Sequence, residues 1–167
     1  MTSNVLNEAD SNLLTAAAFE FALDSELKRA LRGQSYLTLV TVEASREWKG
    51  MTVTVDDGTL QDVAKVIGRE IRNTDLLSHT DNGTLGLLLL DADFDDSARV
   101  IHRLILRIQS YGFRIVLRIA VGAASCPTHA SDVGSLKRQA LSRPLVSWRG
   151  GDHSSPEHGH SSTDQKN

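Results

Sequence analysis

The sequence predicts an α+β fold: a ferredoxin-like or palm-type βαββαβ core, with an antiparallel central sheet and helices packed on it. Three observations predict it. Two stretches, Thr59 to Arg72 and Ala98 to Tyr111, repeat apolar residues at helical spacing. Two others, Tyr36 to Val42 and Ile115 to Val121, are short and rich in β-branched and aliphatic residues, as buried strands are. Between the helical stretches, Leu76-Leu77-Ser78 and Leu85 to Leu90 flank Asn82-Gly83, the dipeptide that most readily supplies the positive φ values of a type I′ hairpin. The resulting order is the split βαβ arrangement. Right-handed crossovers then place both central helices on one face of a four-stranded antiparallel sheet.

The remaining elements come in chain order. Leu13 to Arg32 has a helical period through Phe19, Phe21, Ala22, Leu27 and Leu31, with Gly33 as the stop. Met51 to Val55 alternates like a further strand. In Thr59 to Arg72 the apolar set is Leu60, Val63, Val66, Ile67 and Ile71. Asp95-Asp96-Ser97 supplies acids and a cap before the helix carrying Val100, Ile101, Leu104, Ile105 and Ile108. Ile115, Leu117, Ile119 and Val121 alternate with Arg114, Val116, Arg118 and Ala120, a period of two. A short helix from Val133 to about Arg143 stops at Pro144, whose ring cannot continue a helix interior.

These readings divide the chain into an N-terminal lead-in (1–10), one folded domain (11–146) and a tail (147–167). From Trp148 onward the tail is rich in Gly, Ser, His and acids and offers too little apolar surface to offset ordering, so disorder is expected there. His153, His158 and His160 read as solvated tail residues, because no thiolate or carboxylate cage accompanies them. With 167 residues, 40% hydrophobic and 23% charged, the composition is that of one soluble globular domain. A net charge of -3 gives no electrostatic reason for nucleic-acid binding. The single cysteine, Cys126, cannot form an intramolecular disulfide. No apolar run reaches the roughly 18 residues of a membrane helix, and the first residues lack a signal peptide's basic and apolar regions. A cytoplasmic location, with no membrane contact, is the expectation.

Several segments, in order, resemble a GGDEF domain of the diguanylate cyclase family. Phe19, Leu23 and Glu26-Leu27 keep the pattern of its first helix, and Glu43-Ala44-Ser45 stands where its first strand ends in DxD. The stretch Asp56 to Ala64 echoes GDxxLxxVAxxL, and Ala120-Val121-Gly122-Ala123-Ala124, followed by Pro127, is similar to its SIGVA strand end. Arg72-Asn73-Thr74-Asp75 matches the RxxD inhibitory motif, five residues ahead of Asp81-Asn82-Gly83-Thr84-Leu85 in the place of the signature loop. The resemblance covers about Glu8 to Arg143.

The resemblance implies a site whose chemistry has been lost. Nucleotidyl transfer in the family uses two divalent ions, which need carboxylate oxygens at close range. Here Glu43 replaces the usual aspartate, and Ser45 and Thr84 stand where other acids belong. Gly83 has no side chain, and Asp81, the one carboxylate of the turn, takes the place of a glycine that lets backbone approach phosphate. Asp57 matches the aspartate that reads guanine, yet the stretch between Glu43 and Asp57 is about three residues short of the family norm. Lys137 and Arg138 stand near the phosphate-gripping positions of a last helix cut by Pro144. Glu43 and Asp57 are read as solvated loop acids. Asp81, Asn82, Gly83 and Thr84 complete a vestigial active site with no catalytic residue, no resident metal and no cofactor; Mg²⁺ would enter only if the site were retained.

The inhibitory motif reads differently. Arginine can bond guanine O6 and N7 in a bidentate manner, stack on the base, or clamp phosphate, and a carboxylate can accept the guanine N–H groups. Arg72 and Asp75 fit the RxxD pair, Arg103 falls where the family's further arginine is expected, and Arg99 lies one turn earlier on the same helix. The resemblance therefore implies a catalytically inactive GGDEF-like signalling domain that binds cyclic di-GMP and acts by contact with a signalling protein. The alternative is a ligand-free pseudo-enzyme scaffold or homodimerisation module; an active diguanylate cyclase is the third reading. His79, His102 and His129 read as structural or surface residues, since no nucleophile lies at a recognisable spacing.

Overall fold

Sidedness organises the fold. The computed structural model describes residues 13–80, 83–142 and 144–149. Its elements are β1 (Leu13–Leu14), α1 (Ala16–Gly33), β2 (Leu37–Trp48), β3 (Met51–Thr54), α2 (Asp57–Gly68), β4 (Leu76–Thr80), β5 (Thr84–Leu90), α3 (Phe94–Ser110), β6 (Leu117–Cys126), α4 (Val133–Ser142) and β7 (Pro144–Arg149). One sheet runs in the order β1-β4-β5-β2-β6-β7, with β3 also paired to β2. Only β1, on β4, is parallel among the described strands. The four central strands and the helices α2 and α3 form the expected α+β core.

Period-two alternation along β2 divides its side chains between two cores. Val40, Val42 and Ala44 pack with Val63 and Ile67 of α2 and Ile101, Leu104 and Ile108 of α3. Leu37 and Leu39 face Phe19, Leu23 and Leu27 of α1 and Leu136 and Ala140 of α4. Burying a leucine of this kind contributes about 1.5–3 kcal/mol, so both helix pairs are held mainly by these stripes. Helix ends are closed locally: the Thr15, Asp56 and Asp93 side chains accept from the amides of Ala18, Thr59 and Asp96.

Close packing of α4 on β6 requires a glycine. A methyl group at Gly122 would run into the Ala140 carbonyl oxygen. Gly122→Ala should therefore push α4 off the sheet and cost about 1–3 kcal/mol of stability, read as an earlier urea midpoint. An unchanged midpoint would show that α4 moves freely at this contact.

Several expectations need correction. Leu13 and Leu14 are not helical; they pair with Leu77 and Ser78, and the helix starts only after Thr15, whose side chain caps it. Its stop is Gln34, with φ 53, rather than Gly33, which is still helical. Helix α2 ends at Gly68, so Arg72 lies beyond the helix and not at its last turn. The first core strand runs six residues past Val42, and Glu43 sits inside it, paired on both sides, rather than in a loop. Among the described residues the sheet has seven strands instead of four. The expected tail start at 147 falls within β7, while residues 150–167 and the three tail histidines lie outside the described residues, as does the lead-in.

The hairpin of β4 and β5 forms, but Thr80 pairs with Thr84 and leaves a three-residue loop, 81–83. Gly83, with φ 72, sits where three-residue loops place their left-handed residue. A two-residue loop with both residues at positive φ occurs instead at Lys49 (φ 50) and Gly50 (φ 77), between Trp48 and Met51. None of the described helices is long and apolar enough to cross a membrane.

Candidate functional site

The residues expected to form a vestigial active site lie where β2 and β5 run side by side. Glu43 is directly opposite Thr84 on one side and Ala120 on the other. The Glu43 and Thr84 side chains lie on the α1 and α4 side of the sheet, lining a cavity of about 440 Å³ with Phe19, Thr80 and Lys137. Lys137 is committed to an ion pair with Glu20, which lines the same cavity. A pair of Mg²⁺ ions needs several carboxylate oxygens at close range, and this face presents Glu43 against a threonine. The described residues at Glu43 and Thr84 do not fit such a metal pair; Asp81 and Asn82 lie outside them.

Beyond Glu43 the chain continues as strand to Trp48. Once β5 begins at Thr84, its place beside β2 is taken by β3, with Ser45 opposite Thr54 and Trp48 opposite Met51. Hence Thr54 abuts Gly83, at the end of the β4–β5 loop. A Cβ at Gly83 would meet the Thr54 Cβ at 3.2 Å and Cγ2 at 3.3 Å, and the Ala44 amide donates to the Gly83 carbonyl at 3.4 Å. The chain's own hairpin fills the sheet slot beyond that loop. Asp57 is the exposed first residue of α2, and its neighbour Asp56 is the cap. Hydrogen bonds from the Thr59 backbone and side chain hold the Asp56 carboxyl below the usual carboxylate range. That support of α2 is present above the ordinary range and is lost as pH falls through the lowered folded value.

The RxxD turn is the most tightly specified polar feature. The Asp75 amide donates to the Arg72 carbonyl at 3.0 Å, and the Arg72 amide donates back to Asp75 Oδ2 at 3.0 Å. Arg72 Nε and Nη2 donate to Oδ2 and Oδ1 at 3.4 and 3.3 Å, and the Leu90 amide donates to Oδ1 at 3.3 Å. Arg72 Nη2 further donates to the Leu90 carbonyl at 2.6 Å. The Asp75 side chain is 2% exposed and the Arg72 side chain 59%. Thus Asp75, expected as the acceptor for guanine N–H groups, spends its oxygens pinning the turn to the end of β5. Arg72 is fixed by its inner edge and open on its outer one.

Arg103 reaches the same segment from α3, donating from Nη2 to the Glu70 carbonyl at 2.7 Å. Glu70 also pairs through Oε2 with Arg103 Nε at 3.5 Å and through Oε1 with Arg107 Nε at 3.1 Å. Arg99 is 82% exposed and pairs with Asp96 of its own helix at 3.7 Å, with no bond to the turn. Glu70 and Arg107 were missed by sequence reasoning. Their signal was available: Glu70 lies two residues before Arg72, and Arg107 lies four after Arg103, on one helix face. His129, read as a loop residue, accepts from the Ser125 amide and meets the Phe94 ring edge-on.

Comparison with solved structures places this architecture. The GGDEF domain of PA1120 (YfiN or TpbB) from Pseudomonas aeruginosa superposes with a TM-score of 0.67 at 23% identity, over 78% of this chain and 86% of that one. The fold is that of GGDEF domains. The coiled coil and GGDEF domain of DgcB from Caulobacter crescentus, solved in complex with c-di-GMP, matches with a TM-score of 0.65 at 17% identity, over 79% of this chain and 74% of that one. The diguanylate cyclase SiaD of Pseudomonas aeruginosa, solved with its activator SiaC, matches with a TM-score of 0.63 at 17% identity, over 83% of this chain and 57% of that one. No protein-family model matches this GGDEF-fold chain, and no curated protein sequence does.

Proposed function

We propose that this chain is a catalytically inactive GGDEF-fold signalling domain that binds cyclic di-GMP through Arg72 and Arg103 and acts by contact with a partner protein. One observation carries the ligand reading. A buried carboxylate and a main-chain carbonyl hold the Arg72 guanidinium in place while its side chain stays 59% exposed, and a second arginine, Arg103, is anchored on the Glu70 carbonyl two residues earlier in the chain. Two preset guanidiniums suit a ligand bearing guanines and two phosphates, because planar forks already fixed lose little freedom on binding. In this reading Asp75 positions Arg72 and does not itself touch guanine. Inactivity is supported by Thr84 opposite Glu43 and by Thr54 against the signature loop.

A partner protein fits the reading because SiaD, of the same fold, was solved with its activator SiaC. A scaffold without ligand is favoured by one observation: the four hydrogen bonds accepted by Asp75 also make sense as a fold clamp alone. Thermal melts separate the two. Cyclic di-GMP should raise the melting temperature, since it binds only the folded chain, and incubation with GTP and Mg²⁺ or Mn²⁺ should yield no cyclic di-GMP. Product that disappears in Glu43→Ala would overturn inactivity, and an unmoved melting temperature would favour the scaffold.

A further inference from the structure

Glu70, two residues before the RxxD turn, pairs with two arginines of α3. Its carboxylate places one oxygen on Arg107 Nε and the other on Arg103 Nε. The Glu70 side chain is 21% exposed, against 50% for Arg103 and 61% for Arg107, so the acid is the inner member of the trio. Its main-chain carbonyl separately anchors Arg103 Nη2. Two tasks are thus divided within one residue: the backbone orients Arg103, and the carboxylate neutralises it.

We propose that Glu70 is a built-in competitor for the arginine site, its carboxylate holding the charge-bearing edges that an incoming phosphate would use. This rests on the reading of Arg72 and Arg103 as a cyclic di-GMP site. A carboxylate and a phosphate oxygen are interchangeable partners for guanidinium, so both cannot hold the same Nε–H at once. Displacing Glu70 gives up one negative charge, and a dianionic ligand supplies two. The competitor therefore selects for ligands with more than one phosphate and sets the affinity of the site below what bare arginines would give. It also explains why two half-exposed arginines can sit together without mutual repulsion in the free protein.

The opposite task, in which the carboxylate holds Arg103 ready for ligand, predicts the opposite sign. Titration of cyclic di-GMP into wild type and Glu70→Gln decides between them. Glutamine keeps the shape and the main-chain anchor but removes the charge, and a second variant, Glu70→Ser, covers any misfolding of the first. Each exposed ion pair is worth at most about a kcal/mol, so removing both should tighten binding about three- to tenfold. If wild type binds and both variants bind equally or more weakly, Glu70 is not a competitor and the ligand reading stands alone. If wild type does not bind but a variant does, the competitor is real and keeps the site closed in the native chain. If none binds, this inference falls together with the ligand reading.

Discussion

Asp75→Ala should destabilise the protein by about 3 kcal/mol, because it strips the acceptor from two main-chain amides and a guanidinium at once. The Arg72 and Leu90 amides both point at this carboxylate, and its side chain is 2% exposed. Water cannot easily replace it there. Leaving a buried N–H without a partner costs about 1–3 kcal/mol, so the two amides account for most of the effect. For a domain of this size the drop in melting temperature should be roughly 10 °C. Arg72→Ala keeps both amide bonds to Asp75 and should cost only about 1 kcal/mol. If Asp75→Ala melts within a few degrees of wild type, the turn is not a clamp, and Asp75 is free to act on a ligand.

The second large effect is on binding. Arg72→Ala should weaken cyclic di-GMP binding by about ten-fold or more, since a charge-assisted hydrogen bond contributes roughly 1.5–3 kcal/mol. Arg72→Lys should fail nearly as badly, because a point charge cannot reproduce a planar fork held on one edge and offered on the other. Arg103→Ala should behave like Arg72→Ala. Arg118→Ala is the control: its Nη2 pairs with Glu47 at 2.8 Å on the α1 and α4 side of the sheet. Equal affinity of Arg72→Ala and wild type would reduce the RxxD match to a structural turn.

The division between what could and could not be read from sequence runs along physical lines. The long amphipathic stripe of α3 was legible, with Ile101, Leu104 and Ile108 buried as its period requires; that of α1 was misphased, since Phe21 and Leu31 are exposed and Phe19, Leu23 and Leu27 face the core. The β4 and β5 hairpin was legible, because Gly83 marks the loop and apolar residues flank it. The extension of β2 was not, since Glu43, Ser45, Arg46 and Glu47 are polar and give no apolar alternation to carry the strand past Val42. Cross-strand pairing with β3 and β6 overrides that propensity. Its local signal was Lys49-Gly50, whose positive φ values make the turn. Leu13 and Leu14 continue a helical period by chance, and only Thr15 marks the boundary.

In the site, the residue types of RxxD were legible and their division of labour was not. Whether Asp75 faces a ligand or the fold depends on the Leu90 backbone, fifteen residues away, and no local pattern encodes that contact. The competitor role of Glu70 likewise depends on how α3 lies against the end of α2, a tertiary fact.

Calorimetric titration of the wild-type protein with cyclic di-GMP, in buffer without GTP, separates a ligand site at Arg72 and Arg103 from a turn that serves the fold alone. Binding should be saturable and should weaken as salt is added, as expected where arginines meet phosphates. The absence of saturable heat at high micromolar ligand, with the protein folded by its melting curve and Glu70→Gln equally silent, would contradict it and leave a scaffold in which Arg72 and Asp75 serve the fold alone.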